Sequence, residues 1–395
     1  MAAGTDHGVR PFIVPLNDAS GAMCRGVSCT LFPARPGAKA IDHSSTSFCH
    51  VPLPAEALLG HLHGSAKDER KDFLRAIHRV TVGTLCLSTS NATVLRVAGC
   101  IAGRYSAERR VGAPESVPIL SFSTQYGPIA RILAHAVVFD NYAIESMQLF
   151  MAKPDMQNVI GGVFKATVLS YTQKALSDLV DRCGWQGLYA HNQISELWLA
   201  EKGNSIAEGD YVVLCIRLAS EVLLGRYGLP KPRDPQCLLA RHESGVWDEA
   251  RQICTSLPGG HRGKEFNARI LPLSLPLVQA TGQRMAYEAA KDAMVHGTDR
   301  GLGMTPQVLA LYESTCMMED QSWYVENGIM SRQALLNCNV DAMNSLLPLL
   351  EGMVNDPAVD AFINAPMVDQ DRLAAFFSSL PSFQGPETEY IRAKL

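Results

Sequence analysis

Residues 158–182 read NVIGGVFKATVLSYTQKALSDLVDR, and this stretch decides the fold. Val159, Val163, Ala166, Leu169, Leu176 and Leu179 recur mostly at intervals of three and four, as in a helix that buries one stripe. Val212, Ile216, Ala219 and Leu223 repeat the pattern downstream. Leu229-Pro230-Lys231-Pro232-Arg233-Asp234-Pro235 cannot continue a helix and reads as a linker. Beyond it, Thr305-Pro306 is a good helix start, with a capping hydroxyl, a proline in the first turn and Val308, Leu311 and Tyr312 on one face. Upstream, residues 67–111 are helix-compatible throughout, softened near Gly83 and Gly99. The first sixty residues differ. Short β-rich runs at 9–14 and 45–51 are separated by turns at 17–26 and 33–37, too few strands to close a sandwich. The expected fold is mainly α with a small β part: a partial β-domain at 1–60, a helical domain at 61–228, a linker at 229–236 and a second helical domain at 237–395.

Composition narrows the function classes. The chain has 395 residues, 47% hydrophobic and 19% charged, which is an ordinary globular balance for two or three domains. A net charge of −4 gives no electrostatic case for nucleic acid or an anionic membrane surface. No apolar run approaches the ~20 residues that span a bilayer, and residues 1–10 lack the pattern of a secretion signal. The eleven cysteines include no C-x-x-C pair, and His61-Leu62-His63 has no further ligand at helical spacing, so no metal site is expected. Rossmann, P-loop and nucleophile-elbow motifs are absent. The final tripeptide, Ala393-Lys394-Leu395, is a close variant of the peroxisomal import signal.

Several segments then carry a resemblance in a fixed order. They are Arg104-Tyr105-Ser106-Ala107-Glu108-Arg109-Arg110, Gln125 within Ile119-Leu120-Ser121-Phe122-Ser123-Thr124-Gln125-Tyr126, and Cys183-Gly184-Trp185-Gln186-Gly187. Glu208-Gly209-Asp210 before a helix follows, then Ala280-Thr281-Gly282-Gln283-Arg284-Met285 and Trp323-Tyr324. Together they resemble the acyl-CoA oxidases, peroxisomal flavoproteins of the acyl-CoA dehydrogenase superfamily. Asp6 to Pro15 resembles a strand of that family's middle β-domain. On this resemblance the chain lacks the family's N-terminal helical domain and the first part of the β-domain, where the flavin ring is normally held.

The resemblance implies roles for these residues. The reaction is dehydrogenation of an acyl-CoA to 2-enoyl-CoA, with FAD as cofactor and O2 reduced to H2O2. Glu208 would be the carboxylate that takes the α-proton, and a water-poor pocket would tune it. Glu208 also suits a helix N-terminus, and Asp210 is a rival carboxylate. Arg109 would reach the FAD diphosphate across a dimer interface, since a guanidinium donates two parallel hydrogen bonds; Arg110 competes for that assignment. Gly184 and Gly187 would let backbone amides approach the cofactor, and Gln125 and Asp210 complete the expected cofactor set. Trp185, Tyr211 and Arg217 depart from the family pattern around this site. The implied partners are an acyl-CoA, the peroxisomal import receptor, and a second copy or a longer homologue. The alternative is a non-redox or non-catalytic oxidase-like subunit that pairs with a full-length partner.

Overall fold

The stripe at 158–182 is a helix at the centre of the protein, Gln157–Arg182, and its burial is not confined to one face. Ile160, Gly161, Gly162, Phe164, Lys165, Thr167 and Val168 are buried along with the predicted apolar positions. The reason is that neighbours cover the helix on every side. The computed structural model describes residues 9–37, 41–60, 69–258, 260–299, 301 and 303–385.

In chain order, a β-hairpin pairs β1 (Val27–Leu31) antiparallel with β2 (Ser44–Phe48). Helices α1 (Glu69–Ala76) and α2 (His78–Glu108) follow. A two-residue ladder joins β3 (Arg110–Val111) to β4 (Val117–Pro118). Next come α3 (Ser123–Ala152), α4 (Gln157–Arg182) and the single turn α5 (Trp185–Leu188). Helices α6 (Ile194–Ile206) and α7 (Tyr211–Leu223) close this half. Beyond the proline-rich run lie α8 (Leu238–Ser256), α9 (Lys264–Arg269) and α10 (Ser274–His296). The remaining helices are α11 (Pro306–Glu319), α12 (Gln321–Glu326), α13 (Arg332–Val354) and α14 (Gln370–Ser378).

Helix α4 is wrapped by α2, α3, α6, α7 and α10, and α11 and α13 pack on α3. One apolar core runs from Leu85 to Val368, so the helices on either side of residues 229–236 share it. The linker is fastened as well. Arg233 pairs with Glu145 and Asp292 at 2.6 Å each, and its backbone amide donates to Glu288. Thr305 caps α11 as expected, its Oγ1 accepting from Val308 N at 3.3 Å.

Two expectations change. Residues 9–14 are not a strand. They make only the isolated bridge Phe12↔Leu58, because Pro11 and Pro15 cannot donate to a ladder. The partner of the 45–51 run is instead Val27–Leu31, which lies between the two turns. Helix α2 also passes unbroken through Gly83 and Gly99. At Gly99 a Cβ would stand 2.7 Å from Leu133, so this glycine admits a neighbouring helix rather than softening its own. By length and composition alone α2 could cross a bilayer, but most of its apolar window is buried within the bundle, as in the core helix of a globular protein. All eleven cysteines are free thiols. Among the described residues no group of three or more His, Cys, Asp or Glu side chains is placed to hold a metal. The tripeptide Ala393-Lys394-Leu395 and His61-Leu62-His63 lie outside the described residues.

Candidate functional site

The Glu208-Gly209-Asp210 motif is the turn between α6 and α7. Ala207 ends α6 with its amide bonded to Gly203 O. Glu208 and Gly209 then take left-handed backbone, with φ of +54° and +98°. For a residue with a Cβ that conformation costs roughly 1–2 kcal/mol, and the surroundings must impose it. Asp210 opens α7 as its N-cap, Oδ1 accepting from Val212 N at 2.8 Å and Val213 N at 3.3 Å. Its carboxylate therefore serves the helix, where capping is favoured. Asp210 was expected to help hold the cofactor; in this structure its Oδ1 makes this cap.

The carbonyls of this turn face inward. Lys165 Nζ donates to Ala207 O and Gly209 O, and Thr84 Oγ1 donates to Glu208 O at 2.7 Å. The Glu208 side chain is thereby directed onto α2, where Gly83 leaves room for it. A Cβ at Gly83 would lie 2.6 Å from Glu208 Cδ. The carboxylate keeps 17% exposure, and Oε1 pairs with Arg79 Nη1 at 2.9 Å. Arg79 is 79% exposed, so the pair adds little stability, but it puts a cation beside the carboxylate. The pocket is therefore less water-poor than expected.

A second carboxylic group lies along the same face of α2. Glu201 on α6 is 3% exposed, and Oε1 accepts from Asn204 Nδ2 at 3.1 Å. Glu201 Oε2 and the nearby Asn91 Oδ1 both lack a donor. A proton on Oε2 supplies the donor that the ionised group lacks, and burial raises this carboxyl above its ordinary value. A raised carboxyl stabilises the fold below its unfolded pKa, and that contribution is lost as pH rises through the folded value. Glu201→Gln should therefore match the wild type in thermal unfolding at pH 4 and exceed it by about 1 kcal/mol at pH 8.

The other expected site residues lie at the far end of α2. Arg109 follows its last residue, exposed, and among the described residues its guanidinium has no partner. Arg110 is already engaged: Nη2 donates to Ser116 O at 2.6 Å and Nε to Ser116 Oγ at 3.1 Å, closing the short ladder. This separates the two arginines. Gln125 was expected on the cofactor but is buried, its Nε2 donating to Ser106 Oγ at 2.8 Å and Arg182 O at 2.9 Å. It ties together the end of α2, the start of α3 and the end of α4. The glycine turn also differs from expectation. Gly184 N donates to Asp181 O and Gly187 N to Gly184 O, so neither amide is offered outward. Gly187 is needed for packing, because a Cβ there would stand 2.3 Å from Val180 O. Trp185 is 69% exposed and meets Tyr189 edge-on.

From Gly83 to Arg109 is 26 residues, about 39 Å along α2 at 1.5 Å per residue. A carboxylate at one end and a free guanidinium at the other are too far apart to hold one dinucleotide within a single chain. Thr84, Lys165 and Arg79 were not singled out from the sequence, and Gly83 was read only as a soft point in its helix. The available signal was Lys165 itself, a lone charge inside an otherwise apolar stripe.

Comparison with known proteins agrees with this architecture. Residues 79–223 match the acyl-CoA oxidase C-alpha1 domain. The peroxisomal acyl-coenzyme A oxidase 2 of Arabidopsis thaliana is 27% identical over 244 residues, covering 56% of this chain and 35% of that protein. Acyl-CoA oxidase 3 of Yarrowia lipolytica superposes with a TM-score of 0.80 at 16% identity, covering 98% of this chain and 66% of that one. Acyl-CoA oxidase-2 of Caenorhabditis elegans, solved with FAD, ascaroside-CoA and ATP, gives 0.78 at 16%, over 96% and 65%. The chain thus has the acyl-CoA oxidase type of helical fold. More narrowly, its central helices, residues 79–223, are similar to the acyl-CoA oxidase C-alpha1 domain. The match spans about a third of the length of the curated Arabidopsis relative.

Proposed function

We propose that this chain is an acyl-CoA oxidase-type subunit that acts on an acyl-CoA thioester, with Glu208 as the group that takes the α-proton. The observation that carries this reading is the left-handed turn at Glu208, which holds one carboxylate in a fixed place, part-exposed and beside a cation. In the step assigned to it, the α C–H bond breaks and its electron pair spreads into the thioester carbonyl. The proton passes to a Glu208 oxygen, and Arg79 then stands beside the newly neutral group.

FAD, when bound, would supply the hydride acceptor for conversion to 2-enoyl-CoA and pass its electrons to O2, giving H2O2. The described residues of one chain do not build a cradle for it. They fit a cofactor shared between chains, with Arg109 of one copy reaching the diphosphate of the cofactor that serves Glu208 of another. The working unit is then a homodimer, or a heteromer with a longer homologue. The relatives' names favour the peroxisome, where acyl-CoA dehydrogenation would serve fatty-acid β-oxidation. A second reading, a non-redox or non-catalytic partner subunit, is favoured by the inward amides of Gly184 and Gly187.

The test is incubation of the purified chain with an acyl-CoA in D2O, alone and with added FAD, followed by mass analysis of the thioester. Wild type should introduce deuterium at the α-carbon and Glu208→Gln should not. A wild type that exchanges nothing under either condition overturns the role of Glu208. Flavin absorbance retained after gel filtration, and bleached by acyl-CoA, would decide for the oxidase over the non-redox subunit.

A further inference from the structure

We propose that Lys165 is the positioning residue of the candidate site. With Thr84, it grips the carbonyls of residues 207, 208 and 209 and so fixes where the Glu208 carboxylate points. The proposal rests on the reading of Glu208 as the proton-accepting group.

Lys165 is 0% exposed, on the helix wrapped from every side. Lysine normally runs its stem along apolar surface and keeps its ammonium in water. A buried ammonium persists only when its donors are taken up. Here two of them go to backbone carbonyls on either side of Glu208, Ala207 O and Gly209 O. Capping the end of α6 would call for Ala207 O alone; Gly209 O lies beyond it, across the left-handed pair. Bridging both carbonyls pinches the turn, and on the α2 side Thr84 Oγ1 lies 2.7 Å from both Glu208 O and Val80 O, sharing its one proton between them. With all three backbone oxygens held, the Glu208 side chain is turned outward from the clamp and onto Gly83. Burial lowers the ammonium's pKa to about 8, opposed by the carboxylates of Asp210 and Glu208, so the group stays mostly charged at neutral pH.

The turn needs this restraint. A left-handed glutamate relaxes to ordinary backbone once the contacts that impose the strain are lost. Such a relaxation swings the carboxylate, and a displacement of about 1 Å at a reacting group costs on the order of 100-fold in rate. Geometry within hydrogen-bond reach is the first requirement of a general base.

Lys165→Met keeps the unbranched stem, one atom shorter, and removes its donors. Thr84→Val keeps shape and removes one hydroxyl. We expect Lys165→Met to lower α-proton exchange about 100-fold and Thr84→Val about tenfold, with acyl-CoA affinity held within twofold. In both variants amide hydrogen exchange should speed up in residues 206–211 while the rest of α4 stays protected. Lys165→Arg, which still donates, should recover part of the lost rate. A folded Lys165→Met that exchanges α-protons within twofold of wild type overturns the proposal. So does a loss of affinity that accounts for the whole effect.

If Lys165→Met does not fold, Thr84→Val decides by the same two readouts. If the wild type is inert toward acyl-CoA, the function proposed above fails on its own. The clamp is then judged by amide exchange in residues 206–211: unchanged protection in both variants would sink it, and selective loss would uphold it.

Discussion

Arg284→Met lowers the free energy of unfolding by about 3–5 kcal/mol, the cost of stranding buried carboxylates. Arg284 on α10 is 1% exposed. Its Nε donates to Glu243 Oε2 at 2.7 Å, Nη1 to Glu288 Oε2 at 2.9 Å and Nη2 to Pro230 O at 2.7 Å. One side chain thus joins α8, α10 and the proline-rich run. Burial holds the Glu243 carboxyl above its ordinary value even with the guanidinium beside it. Without Arg284, Glu243 loses its ion-pair partner and Glu288 keeps only Arg233, whose backbone amide it accepts from, while both stay buried. The Glu243 carboxyl, already raised by burial, then rises further, so the variant regains stability as pH falls and protonation removes its stranded charge. Urea unfolding at pH 7 and pH 5 checks this: the deficit should shrink clearly at pH 5. A second variant that adds Glu243→Gln and Glu288→Gln should recover much of the loss at pH 7. A deficit that ignores both pH and these substitutions would mean that lost packing, not charge, is responsible.

Gly83→Ala should separate stability from activity in opposite directions. Alanine inside a helix is favoured over glycine by about 0.5–1 kcal/mol. The added Cβ would stand 2.6 Å from Glu208 Cδ and 2.9 Å from its Oε2. What it meets is the free end of a side chain, which moves at low cost to the fold. The carboxylate is displaced as a result, and α-proton exchange should fall on the order of 100-fold while the melting temperature holds or rises. Measured side by side, a rate unchanged in a stabilised protein would show that the position of Glu208 does not matter for the reaction.

What could be read from the sequence follows a physical line. The stripe at 159–179 identified the central helix, and Thr305-Pro306 marked a real start, because these are local signals within one element. The motif order pointed to the fold for a different reason, since each segment had a counterpart in one family. The pairing of β1 with β2 escaped because residues 27–31 carry few strand signals besides Val27, Thr30 and Leu31. At the site, Glu208 was found by its motif, whereas Lys165 and Thr84 lie 44 or more positions away along the chain from the carbonyls they hold, apart from Ala207 at 42. No local pattern announces such partners. Gly184 and Gly187 show that one motif can hold glycines of different use. Glycine permits close approach of a backbone, and at Gly187 that partner is Val180 of the same chain, whereas Gly184 has open space beside it.

The closure of α2 has a consequence for how the protein is made. Arg96 pairs with Asp356, Arg104 Nε donates to Val354 O, and Gly103 receives the Val354 side chain, contacts that span about 250 positions. A ribosome emits α2 long before it emits residues 354–356. Until then a helix apolar enough to pass for a bilayer segment waits without its last cover. Completion of this core therefore waits for residues 354–356, and α2 is exposed to misassembly during the interval.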